Sequence, residues 1–98
     1  MTKKSFIAQL RARPDAVEEL IALQAELKKL VFEQEPGALV YELFQAAEDP
    51  ALFQVVATFR DDDAFEKHMA IDFHERLVPP ILACLAEEMQ IAFYRSLD

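Results

Sequence analysis

Glycine is almost missing from this chain: Gly37 is the only one among 98 residues. Phosphate-cradling loops and dinucleotide fingerprints need several glycines so that the backbone can approach the ligand closely, and neither can be written here. Cysteine is equally scarce. Cys84 stands alone, so it closes no internal disulfide, fits a reducing cytoplasmic setting, and reads as a small buried hydrophobe rather than a nucleophile. Positive charge is also short. Ten Lys and Arg against 18 Asp and Glu give a net charge of −8, which argues against nucleic acid and against anionic membrane surfaces. No apolar run approaches the ~20 residues of a spanning helix. The opening MTKKSFIAQLRARPD interrupts its apolar residues with Gln9, Arg11 and Arg13, unlike a signal peptide. CxxC, HExxH and GxSxG are missing as well.

What is present is apolar side chain, 53% of the residues, enough for one packed domain over residues 1–98. Residues 4–12 alternate, with Phe6, Ala8 and Leu10 on one face and Ile7, Gln9 and Arg11 on the other, which predicts a strand. Pro14 ends it, and Asp15 is placed to cap a helix. In that helix Val17, Leu20, Leu23, Leu27, Leu30 and Val31 make an apolar stripe. Pro36 stops it and Gly37 suits a left-handed turn. Residues 38–46 and 51–60 are rich in β-branched and aromatic residues and read as a hairpin. Asp61–Asp63 offer N-caps to a helix over 64–70, and Val78 with Pro79 and Pro80 opens a further helical piece toward residue 88. Residues 89–97 close the chain as a strand. The order β-α-β-β-α-β predicts a ferredoxin-like α+β fold around an antiparallel sheet.

Both faces of that sheet carry apolar residues. Val40 and Phe44 oppose Leu39, Tyr41 and Leu43; Leu52 and Val56 oppose Phe53, Val55, Ala57 and Phe59. Helices cover one face only, so the other is expected to meet a second copy of the chain in a face-to-face homodimer.

The segment EPGALVYELFQAAEDPALFQVVATFRDDDAFEKHM, residues 35–69, resembles the antibiotic biosynthesis monooxygenase domain family, and with the flanking elements the likeness covers nearly the whole chain. The shared features are an E-P-G turn, a Y-E-L strand, a D-P hairpin and A-x-x-x-H on the following helix. They fall here on Glu35, Pro36, Gly37, Tyr41, Pro50 and His68. The resemblance implies a dimeric α+β barrel and, for some members, oxygenation of quinols, anthrones or related aromatic molecules with neither metal nor flavin. Where the family commonly has a third-strand glutamate this chain has Ala57, and Phe59 stands where a tryptophan is usual. The related haem-degrading branch relies on asparagine and tryptophan, and the sequence contains neither.

Both histidines lie between Phe65 and Phe73. His68 borders the apolar face of its helix, and reads either as a boundary residue or, with the resemblance, as a catalytic base at the mouth of a cavity. His74 follows six residues later, out of phase on a continuous helix, and is expected at the cavity rim or in solvent. Tyr41, Phe44, Phe59, Met69 and Phe73 are candidate walls for a small aromatic substrate, or ordinary core. No metal site is expected, because His68, Asp72 and His74 lack an evident fourth ligand.

Overall fold

Alternation along the first strand decides which face of the sheet is covered. The computed structural model describes residues 2–97. In it β1 (Lys3–Arg11) buries Phe6, Ala8 and Leu10 and leaves Ile7 and Gln9 on the other face, part-buried. β2 (Ala38–Ala46), β3 (Asp49–Phe59) and β4 (Gln90–Ser96) complete an antiparallel sheet in the order β2-β3-β1-β4. Helix α1 (Val17–Gln34) links β1 to β2, while α2 (Asp62–Ala70) and α3 (Asp72–Ala83) link β3 to β4. This is the ferredoxin-like α+β arrangement expected from the sequence.

Register fixes the two faces. Phe6 pairs with Ala57 on one side and Phe93 on the other, and Tyr41 pairs with Ala57. These residues therefore share the face on which the helices lie. Phe53, Ala57 and Phe59 on β3 are at most 1% exposed, each such burial being worth roughly 1.5–3 kcal/mol for a large side chain. From α1 come Leu20, Leu27 and Val31, with Gln24 interrupting the stripe. The far face holds Ile7, Val40, Phe44, Val56 and Tyr94 beside Gln9, Glu42, Gln54 and Thr58. Phe44 and Tyr94 are about half exposed there, 51% and 52%.

Local chemistry departs from the sequence reading at four places. Asp15 lies in a 3-10 turn, Pro14–Ala16, and makes no cap; Ala16 occupies the N-cap of α1 instead. Leu39 does not share the face of Tyr41, because a bulge between Ala38 and Val40 turns it outward, 46% exposed. Gly37 has no positive φ. Its need is space, since a Cβ there would lie 2.5 Å from the Cβ of Ala64. Finally, α3 begins at Asp72, so Pro79 and Pro80 lie inside the helix rather than opening it. The carbonyls they leave unpaired belong to the exposed Glu75 and Arg76, where water can satisfy them. Asp61, by contrast, caps α2 as anticipated, its carboxylate accepting from the Ala64 N–H at 2.8 Å. Cys84 is buried, donates its thiol to the Pro80 carbonyl and is pushed above the ordinary thiol range by that burial.

Candidate active site

Gly37 is what brings the site together. With no side chain, the turn after α1 rests on Ala64 in the first turn of α2, and the Arg60 N–H donates to the Gly37 carbonyl at 2.7 Å. Residue 68 lies four beyond Ala64, on the same helix face. The turn therefore sets Glu35 against His68. Glu35 is held by its backbone: its N–H donates to the Val31 carbonyl at 2.8 Å and its own carbonyl accepts from the Ala38 N–H at 3.0 Å. Its carboxyl meets Nδ1 of His68 at 2.9 Å through Oε2 and 3.2 Å through Oε1.

His68 is 1% exposed and is no boundary residue. Phe59 packs against its ring at 4.9 Å between centroids and Tyr41 at 5.8 Å. His74 is there too, its ring centroid 4.5 Å from that of His68. On an unbroken helix those two residues would diverge. The extended backbone of Ile71, with φ −74° and ψ 143°, ends α2 and starts α3. The chain thereby changes direction between the histidines, and the His74 N–H donates to the Ile71 carbonyl at 3.0 Å. Glu35, His68 and His74 form a continuous polar seam through an apolar interior.

The seam borders a cavity of about 150 Å³ between the covered sheet face and all three helices. Phe6, Ala8 and Tyr41 floor it, Gln24 and Leu27 of α1 close one side, and His68 and His74 close another. Met69, Leu82, Ile91 and Phe93 line it while remaining 43–52% exposed, and so mark its mouth, beside the edge strand β4.

Burial sets the protonation of the seam. It pushes the Glu35 carboxyl up to about 7 and the His68 imidazole down to about 4, because a dry interior disfavours either charge. His74 is also pushed down to about 4, chiefly by burial and next by His68, with Glu75 opposing. The Tyr41 phenol is held protonated well above its ordinary range by burial, and the Glu35 charge adds to the effect. When Glu35 is ionised it accepts Nδ1–H of His68, and Nε2 is then a bare lone pair. When Glu35 is protonated it donates to Nδ1, and Nε2 carries the hydrogen. One proton on Glu35 thus decides whether His68 is a base or a donor.

Of the candidate side chains, the cavity gathers Tyr41, His68, Met69 and His74. Phe59 supports His68 from behind, and Phe73 is packed in the core, away from the lining. Phe44 is on the far face of the sheet and cannot be a wall. The sequence reading carried Glu35 only as part of a turn motif and passed over Gln24. Gln24 had a visible signal, a polar residue in the register of Leu20, Leu27 and Val31. Among the described residues no three His, Cys, Asp or Glu side chains gather closely enough to hold a metal ion. No helix of the described residues is long and apolar enough to cross a membrane.

Solved structures similar to this chain share its whole architecture. A conserved protein from Methanosarcina mazei Go1 aligns with TM-score 0.91 at 24% identity, over 98% of this chain and 94% of its own. A protein from Pseudomonas aeruginosa aligns with TM-score 0.86 at 28% identity, over 100% and 97%. A structure described as antibiotic biosynthesis monooxygenase aligns with TM-score 0.86 at 29% identity, over 97% and 99%. No curated protein matches the sequence. Residues 5–78 match the family described as antibiotic biosynthesis monooxygenase. With that match spanning three of the four strands and the first two helices of the described residues, the chain belongs to the antibiotic biosynthesis monooxygenase family.

Proposed function

We propose that the cavity binds a small hydroxylated aromatic molecule of the quinol or anthrone type, and that His68, oriented by Glu35, removes a phenolic proton so that dioxygen can oxidise the ring. The observation that carries this reading is a buried carboxyl–imidazole pair, 8% and 1% exposed, whose imidazole lines an apolar cavity. A positioned base of that kind is typically worth ~10²–10⁴ in rate. The phenolate then supplies the electrons. One electron passes to dioxygen, the ring radical and superoxide join as a ring-bound peroxide, and the O–O bond breaks with loss of water. For a hydroquinone the sum is hydroquinone plus O₂ giving hydroxyquinone plus H₂O, with neither metal nor flavin among the reactants. The apolar walls would shield the anion from solvent as it forms.

The far face of the sheet, with Val40, Phe44, Val56 and Tyr94, supports a homodimer in which two sheets pack together, as in a dimeric α+β barrel. A second reading, a dimeric module that binds the ligand without turning it over, is favoured by Ala57, which places no polar group at the centre of the covered face.

Oxygen uptake with a panel of hydroquinones and anthrones separates the two. Wild-type protein is expected to consume one O₂ per quinol and His68→Ala to lose ~10²-fold or more in rate. Equal rates for both proteins would remove His68 from the chemistry, and ligand binding with no uptake on any substrate would establish the binding module.

A further inference from the structure

The polar residue that interrupts the α1 stripe is the least explained group in the molecule. Gln24 is 5% exposed and lines the cavity, and its Oε1 is shut off from solvent with no hydrogen-bond partner. A buried amide oxygen in that condition normally costs stability and is normally paired. Glutamine also reaches its cavity from α1, whereas His68 and His74 reach it from α2 and α3. The guest is thus offered polar groups from two separate walls.

Resting on the proposed use of His68, we infer that Gln24 is a specificity-determining residue, its amide anchoring a second hydroxyl of a single-ring dihydroxybenzene. The last torsion of glutamine is soft, so carbonyl and amino group can exchange places. A hydroxyl both donates and accepts, and it can satisfy the amide in either arrangement, which a carbonyl or an ether oxygen cannot do. Size points to one ring. A cavity of about 150 Å³ is of the order that holds a benzene-sized guest in an apolar protein interior. A three-ring guest would have to leave much of itself outside the mouth formed by Met69 and Phe93.

The test is equilibrium binding under argon, followed by NMR titration, of hydroquinone against 4-methylphenol, which replaces one hydroxyl by a methyl group of similar size. Wild-type protein is expected to bind hydroquinone about tenfold more tightly, since the methyl analogue leaves the amide unpaired. Gln24→Met, close in shape and apolar, is expected to reverse that order. The same ratio in both proteins, or no binding of either compound, overturns the inference. A hydroxyanthracene that binds wild-type protein as tightly as hydroquinone overturns its one-ring limit. The wild-type ratio stands as a result even if the variant folds poorly. Because no oxygen is present, the outcome is independent of turnover. A protein that shows the preference yet consumes no oxygen keeps the Gln24 role and loses the oxygenase reading.

Discussion

Nδ1 of His68 lies 2.9 Å from Oε2 of Glu35, across 33 residues of sequence. The pair makes a rate profile predictable. Loss of the Glu35 proton turns Nε2 into a base, so kcat/KM for a quinol should rise as pH passes about 7, the value to which burial lifts Glu35. The pair titrates as a unit, and the limb belongs to both groups. Glu35→Gln is expected to abolish this limb and to lower the plateau by about 10–100-fold. A profile unchanged in Glu35→Gln would break the link between the two residues.

Stability should depend on pH through His74. Glu35 is raised from 4.5 to about 7, so its contribution is full below pH 4.5 and is lost as pH rises through about 7. His68 is lowered from 6.5 to about 4, so its contribution is full above pH 6.5 and is lost as pH falls through about 4. From about pH 4.5 to 6.5 the folded pair keeps one proton on Glu35 and the unfolded pair keeps one on His68, and the two slopes cancel. His74, lowered from 6.5 to about 4, has no such counterpart. Urea denaturation should show wild-type protein weakening relative to His74→Gln as pH falls from 6.5 to 4, with a slope near one proton per chain.

Gly37 and Ala64 should be coupled. Gly37→Ala places a Cβ at 2.5 Å from that of Ala64 and is expected to cost about 1–3 kcal/mol. Ala64→Gly in the same chain should recover much of that loss, giving a coupling energy that a double-mutant cycle reads directly. Additive effects would mean that the turn and α2 are not in contact.

Assembly should respond to charge on the far face of the sheet. Phe44, 51% exposed there, is expected at the centre of the sheet-to-sheet contact, and Phe44→Lys should shift sedimentation from dimer to monomer. The cavity is on the opposite side of the sheet, so the variant should still bind hydroquinone. A wild-type chain that sediments as a monomer at micromolar concentration would end the dimer proposal.

Much of this architecture was legible in residue patterns. Phe6, Ala8 and Leu10 announce β1 by alternation, Leu20, Leu27 and Val31 announce α1 by helical spacing, and both patterns hold because burial enforces them. The site was harder to read, because its key relationships are tertiary. The sequence reading ends a helix at residue 70, where α2 ends, but His74 reaches His68 because a new helix starts at once, at Asp72, after the extended Ile71, and nothing in IDFHE spells that start. Pro79 and Pro80 pointed instead to a later helix start. Glu35 has a local role as the C-cap of α1, and its partner is 33 positions away. Gln24 is legible as a polar interruption between Leu20 and Leu27, but the stripe alone does not show that its amide oxygen stays unpaired beside a cavity.

The unpaired Gln24 oxygen has a practical corollary. Any compound that completes it adds its binding free energy to the folding equilibrium by mass action, so the chain should melt later in the presence of such a compound. Heating the protein with a library of small phenols, with no assay for turnover, is therefore a direct way to find compounds that occupy this cavity.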